Sequence, residues 1–160
     1  MNFFSGFFQL GYVTRDLDRA CAAFADRFGA VDFTVSEPGP IDGRQPPTRR
    51  IALTWIDEVM TEIIEPDPAQ RTIYDDALPG GDEGGAIRLH HLGYLIDDHE
   101  AMLTRLGQMG YAVPLHGGMP GALDYIYADT RAHLGHYCEF IRLDEGGRAF
   151  FGSVPRLRTR

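Results

Sequence analysis

The chain contains the stretch Gln9-Leu-Gly-Tyr-Val-Thr-Arg-Asp16, which returns later as His91-Leu-Gly-Tyr-Leu-Ile-Asp-Asp98. Leucine, glycine, tyrosine and the closing aspartate occupy matching places in the two copies. Each copy is followed by a helical pattern that ends in glycine and, farther on, by a strand pattern with a central glutamate; these residues are Gly29 and Glu62 in the first half, and Gly110 and Glu139 in the second. A repeat of this kind indicates duplicated supersecondary units that bury a shared core.

The first half predicts the element order β-α-β-β-β. Residues 7–14 alternate as a strand does, which puts Gln9 on one face together with Phe7. Asp16 is suited to cap the helix that follows, whose apolar residues recur at helical spacing until Gly29. Three further strands are predicted at residues 31–35, 50–55 and 59–64, the last two forming a hairpin.

The second half repeats this order. Asp98 is expected to cap its helix and Gly110 to end it, with a turn at Gly117-Gly118. The strands are predicted at residues 89–96, 111–115, 123–128 and 136–142. The predicted boundaries are a first module over residues 1–65, a linker over 66–87 with room for one short helix, a second module over 88–143, and a tail over 144–160 that packs through Phe150 and Phe151.

Two such modules predict an α+β fold in which tandem βαβββ units form a curved mixed sheet around a cleft. Matching positions of the repeat are expected to converge in that cleft. Gln9 matches His91 and Glu62 matches Glu139, so side chains able to bind a metal ion occupy equivalent places in the two halves.

Composition narrows the function. The net charge of −8 argues against a general binder of nucleic acid or anionic membranes. The chain has no lysine, which excludes Schiff-base chemistry on that side chain. Its two cysteines, Cys21 and Cys138, have no CxxC spacing and are expected to be buried free thiols in a reducing cytoplasm. The apolar start lacks the features of a signal peptide, and no stretch is long enough to span a membrane.

The repeated motifs resemble those of the vicinal oxygen chelate superfamily, which includes glyoxalases, bleomycin-resistance proteins and extradiol dioxygenases. The resemblance rests on a ligand in a strand, an aspartate seven residues later that opens a helix, and a glutamate in the fourth strand. It covers about residues 7–143. The context Glu62-Ile-Ile-Glu-Pro66 looks more like the methylmalonyl-CoA epimerase branch than like the glutathione-dependent lyases.

The resemblance implies that Gln9, Glu62, His91 and Glu139 bind one divalent ion, such as Zn, Ni, Co or Mn. One imidazole and three oxygen ligands suit such an ion. It further implies a glyoxalase-like lyase or an isomerase that removes a proton beside a carbonyl through a metal-stabilised enediolate. Glu62 and Glu139 are then the candidates for the catalytic base.

Other interpretations of single residues remain open at this point. Taken alone, Gln9 is better explained as a hydrogen-bonded amide in a barrel interior than as a ligand, and exposed strand positions are the alternative for Glu62 and Glu139. His90 competes with His91, but alternation allows only one of them to face the cleft, and the repeat selects His91. Possible substrate contacts are His136, Tyr137 and Arg50; solvated surface positions are the alternative for His133 and His136 and for Arg44, Arg49 and Arg50.

Two other functions are weighed against the leading one. A metal-free protein that binds a small molecule, of the antibiotic-resistance kind, is the main alternative. Extradiol ring cleavage ranks below it, because Gln9 stands where a facial triad needs a histidine. The expected partners are a small-molecule substrate and a second copy of the chain, because Phe3, Phe4, Phe7 and Phe8 make the start more apolar than a free terminus.

Overall fold

The computed structural model describes residues 3–29, 32–40, 43–80 and 85–157. The elements are β1 (Phe7–Val13), α1 (Leu17–Phe28), β2 (Thr34–Ser36), β3 (Thr48–Ile56), β4 (Val59–Pro66), a short 3₁₀ helix (Ile73–Ala77), β5 (Arg88–Leu95), α2 (His99–Gln108), β6 (Leu115–Met119), β7 (Leu123–Ala128), α3 (Arg131–Leu134), β8 (Tyr137–Leu143), α4 (Glu145–Ser153) and β9 (Arg156–Leu157). They divide into two compact units, one formed by Leu10–His90 with Val154–Arg160 and the other by Met1–Gln9 with His91–Ser153.

In the unit built mainly from the first half, the strand order is β2-β3-β4-β1. Strands β2, β3 and β4 pair antiparallel, and β9 adds to β3 in parallel. Asp16 caps α1 by accepting a hydrogen bond of 3.0 Å from the backbone N–H of Arg19, and Gly29 ends the helix at a φ of 74°. The apolar face of α1 packs on one face of the sheet, in a core that contains Leu17, Phe24 and Ile63.

In the other unit, the strand order is β5-β8-β7-β6. Strand β5 runs parallel to β8, and the remaining pairs are antiparallel. Asp98 caps α2 through a 2.9 Å hydrogen bond from the backbone N–H of Ala101. Helix α2 covers one face of this sheet, and its Met102 and Leu106 pack against Tyr94 and Phe140 of the strands.

The predicted α+β class and the repeated β-α-β-β-β order are confirmed. The second strand of the first half is shorter than predicted, at Thr34–Ser36, and residues 30–31 lie outside the described part of the chain. The expected loop at 130–135 contains the short helix α3, and the linker contains the 3₁₀ helix. In the tail, Phe151 is buried as expected, whereas Phe150 is exposed.

The prediction of a strand at 111–115 followed by a turn at Gly117-Gly118 is wrong. Both glycines lie inside β6, and the turn falls at Gly121, whose φ is 77°. The glycines belong in this strand because side chains from β7 cover them. A Cβ added at Gly117 would lie only 2.8 Å from the hydroxyl oxygen of Tyr125.

Both cysteines are free, Cys138 buried and Cys21 partly buried, and burial raises the pKa of each thiol. Within the described residues, no helix is both long enough and apolar enough to cross a membrane.

Candidate functional site

Each unit has one sheet face that its helix does not cover, and the predicted metal ligands lie on those faces. In β8, Cys138 and Phe140 belong to the core under α2, so Glu139 between them projects from the opposite face. In β5, Tyr94 belongs to the same core, so His91 and Gly93 also face away from the helix.

The first-half unit shows the same alternation. Ile63 of β4 packs in the core under α1, so the neighbouring Glu62 projects from the other face of the sheet. Glu62 is 9% exposed and Glu139 is 6% exposed. Their interpretation as solvent-exposed strand positions is therefore wrong.

His91 and Glu139 form the centre of the site. Nε2 of His91 lies 3.2 Å from Oε2 of Glu139, and the histidine side chain is fully buried. No hydrogen-bond donor among the described residues satisfies Oε2 of Glu139, because the contact with His91 lacks hydrogen-bond geometry. A buried carboxylate oxygen in this state is costly, and a bound cation would remove that cost.

Gln9 is held beside this pair by the glycine of the second motif copy. A Cβ added at Gly93 would lie 2.7 Å from Cβ of Gln9 and would collide with its side-chain oxygen. Gly93 is paired with Glu139 across the β5–β8 ladder. Gln9, Gly93 and Glu139 therefore form a row across neighbouring strands, and the missing side chain at position 93 provides the space for the Gln9 amide.

Replacing Gly93 by Ala should destabilise the protein by about 1–3 kcal/mol, because the added methyl group overfills the space that Gln9 occupies. Gly107→Ala is the matched control, since no atom lies within 4 Å of an added Cβ in that helix. The control should be neutral or stabilising by up to about 1 kcal/mol. Urea unfolding of both variants measures the difference; equal stability of the two would contradict the close packing of Gln9 on Gly93.

Three of the four predicted ligands are acidic or imidazole groups, and all three are buried: His91 and Glu139 in one unit, and Glu62 in the other. Each of them offers one ligand atom for a metal ion. Gln9, the fourth predicted ligand, is 1% exposed and lies on the same face as His91 and Glu139.

His90 and His91 point in opposite directions, as the alternation predicts. Nε2 of His90 lies 3.0 Å from the backbone carbonyl oxygen of Ile73, and its ring packs on Tyr74 with a centroid separation of 5.1 Å. His90 therefore anchors the 3₁₀ helix against β5.

The three predicted substrate contacts, Arg50, His136 and Tyr137, all contact other groups of the protein. Arg50 binds Glu65 at 2.6 Å and Asp18 at 2.9 Å, and these hydrogen bonds raise the pKa of its guanidinium. Nδ1 of His136 lies 2.7 Å from the carbonyl oxygen of Tyr137. The Tyr137 ring is buried below the guanidinium of Arg131, 4.5 Å away.

Two tyrosines on the helix-free face were not among the residues predicted from the sequence. The Tyr127 ring meets the His91 ring edge to face, with centroids 5.1 Å apart, and Tyr125 meets Tyr127 at 6.1 Å. Burial and the charge of Glu139 raise the pKa of Tyr125. The signal was present in the alternation of Leu123-Asp-Tyr-Ile-Tyr127, which puts both phenol rings on one face of β7.

The profile of the Glyoxalase/Bleomycin resistance protein/Dioxygenase superfamily matches residues 8–128. The chain belongs to this superfamily, which confirms the resemblance seen in the repeated motifs. A comparison with curated protein sequences finds no significant match.

Solved structures with a similar fold include methylmalonyl-CoA epimerases. The enzyme from Mycobacterium tuberculosis is 18% identical, with a TM-score of 0.63 over 93% of this chain and 97% of that one. A Streptomyces coelicolor epimerase variant in complex with 2-nitronate-propionyl-CoA is 14% identical, with a TM-score of 0.59 over 87% and 97%. A methylmalonyl-CoA epimerase in complex with methylmalonyl-CoA and NH4+ is 13% identical, with a TM-score of 0.62 over 88% and 96%. At these identities the likeness concerns the fold alone.

Proposed function

We propose that the protein is a metal-dependent isomerase or lyase that removes a proton from the carbon next to a substrate carbonyl. The observation that carries this proposal is the buried carboxylate of Glu139. Its Oε2 lies 3.2 Å from Nε2 of His91 and has no hydrogen-bond donor among the described residues. A carboxylate in such surroundings is suited to bind a cation and to accept a proton.

The residues fit a divalent ion by their chemistry. His91, Glu62 and Glu139 would hold the ion, with Gln9 as the fourth ligand, and this nitrogen-and-oxygen set suits Zn, Ni, Co or Mn. When bound, the ion supplies Lewis-acid stabilisation of the negative charge that develops on the substrate oxygen.

The chain's own residues perform the proton transfer. Glu139 is the proposed base: it accepts the α-proton of the substrate and can return it. Glu62 has the equivalent place in the repeat, and we assign it the matching role on the other face of the reacting carbon. One carboxylate that removes a proton and a second that returns it make an epimerase or isomerase; return of the proton to a neighbouring atom makes a glyoxalase-like reaction.

The similar fold of the methylmalonyl-CoA epimerases supports the isomerase form of this proposal, because an epimerase is an isomerase. The substrate class is therefore a carbonyl compound with an acidic α-hydrogen. Acyl thioesters, α-keto acids and α-hydroxy carbonyl compounds are the classes to examine.

Exchange of the substrate α-hydrogen with solvent deuterium tests the proposal. The purified protein, loaded in turn with Zn, Ni, Co or Mn, is incubated in deuterated buffer with each class of compound, and label is measured by mass spectrometry. Uptake of deuterium at the α-carbon, dependent on the added metal, is the expected result. Absence of exchange with every metal and every class would overturn the enzyme function and favour the metal-free binding protein.

A homodimer is the proposed assembly. Phe4 and Phe7 are 50% and 46% exposed, while Phe8 is buried, so an apolar surface remains at the start of β1. Pairing through this surface would remove it from water. Light scattering at micromolar concentration is expected to give twice the chain mass of 17.8 kDa, and a monomer mass would contradict the proposal.

A further inference from the structure

The strand register extends the helix-free face of the second-half unit well beyond His91 and Glu139. Glu139 of β8 is paired with Tyr127 of β7, and Tyr127 is paired with Leu115 of β6. One residue pair farther along, Tyr125 is paired with Gly117. These side chains share one face because they alternate with the core residues under α2.

Tyr125 lies across β6 because Gly117 has no side chain. Its hydroxyl oxygen is 2.8 Å from the place where a Cβ of Gly117 would stand, so the phenol extends from β7 toward β6. Strands are about 4.8 Å apart, so the backbone of β6 is roughly 10 Å from that of β8, which carries Glu139. The hydroxyl therefore lies over β6, two strands away from β8, which carries Glu139.

Burial changes along the same path. Tyr127 is 1% exposed and Glu139 is 6% exposed, whereas Tyr125 is only partly buried. Along β7 from the buried Tyr127 and Glu139, Tyr125 is thus the next polar side chain on this face that solvent reaches. By register, the residues next to Tyr125 on this face are Tyr127 on β7, Gly117 and Leu115 on β6 and Ile141 on β8, which offer mainly apolar contact.

From this arrangement we propose that Tyr125 is a substrate-contacting residue, whose hydroxyl binds a polar group of the substrate away from the reacting carbon. This inference rests on the proposed function, and it narrows the substrate to carbonyl compounds with an extended, largely apolar stem beyond the carbonyl. Gly117 is needed for this position of Tyr125, because any side chain there would displace the phenol.

The test uses two probes that share a reacting group and differ in length: methylmalonyl-CoA and the S-methyl thioester of methylmalonic acid. Binding to the metal-loaded protein is measured by calorimetry, and α-hydrogen exchange is measured on the same samples. Tyr125→Phe should weaken binding of methylmalonyl-CoA by roughly 3- to 10-fold, the loss of one hydrogen bond, and leave the short thioester unchanged.

Gly117→Ala should have the same effect as Tyr125→Phe, because the added methyl group displaces the Tyr125 hydroxyl and phenylalanine lacks it. The double variant should then be no weaker than either single one. Tyr111→Phe is the matched control, because the Tyr111 hydroxyl lies 3.4 Å from His133, away from this face. Gly152→Ala is the control for Gly117→Ala, with no atom within 4 Å of the added Cβ.

The inference is overturned if Tyr125→Phe weakens both probes equally or neither, or if the unaltered protein binds neither probe. Exchange of the short thioester separates the two proposals. If the probes exchange their α-hydrogen but Tyr125→Phe does not distinguish them in binding, the proposed function stands and this inference falls. Discrimination in binding without exchange of either probe would count against the proposed function and leave Tyr125 as a ligand-binding residue only.

Discussion

His91→Ala should lose the bound metal and the α-hydrogen exchange together. His91 supplies the imidazole nitrogen of the proposed ligand set, is fully buried, and lies 3.2 Å from the carboxylate of Glu139. Alanine removes the nitrogen ligand that suits the ion and leaves only oxygen ligands. Metal content of the purified variant, measured by elemental analysis, should fall to background, and deuterium uptake should fall with it.

The control for this loss is His116→Ala. His116 is exposed, and it alternates to the other face of β6 from Gly117. This variant should keep the metal and the exchange rate of the unaltered protein. Full metal retention by His91→Ala, in a sample with an unchanged circular dichroism spectrum, would contradict the assignment of His91 as a ligand.

Glu139→Gln should slow α-hydrogen exchange by roughly 100-fold or more while much of the metal remains bound. The amide keeps the shape of the side chain and one oxygen, but it cannot accept the proton. Exchange rates measured with saturating metal separate this effect from weaker metal binding. Glu100→Gln, whose carboxylate is 86% exposed, should be without effect.

The result for Glu62→Gln decides between the two candidate bases. A loss of exchange with Glu62→Gln and not with Glu139→Gln would move the role of base to Glu62. Similar losses in both variants are expected for an epimerase, in which one carboxylate removes the proton and the other returns it.

The repeat was sufficient to predict the fold class and the element order. Asp16 and Asp98 are good examples, because an aspartate before a periodic apolar stretch has a local physical meaning that needs no tertiary contact. Strand alternation allowed only one of His90 and His91 to face the cleft and the repeat selected His91; the two side chains do project in opposite directions.

The errors occur where tertiary contacts override local preference. Gly117 and Gly118 predict a turn when only neighbouring residues are considered, yet they form part of β6 because the side chains of Tyr125 and Asp124 cover them. Tyr125 was missed for a related reason. Its position relative to Glu139 depends on the pairing register of β7 with β8, and that register is not visible in either segment alone.

The dependence of Gln9 on Gly93 has a consequence for how this chain can evolve. The first copy of the motif contributes the amide, and the second copy contributes the empty space into which that amide fits. A substitution in one copy is therefore constrained by a residue in the other, although the two are far apart in sequence. After duplication, neither copy is free to drift alone at these positions, and the second module expressed by itself would retain the space without the side chain that fills it.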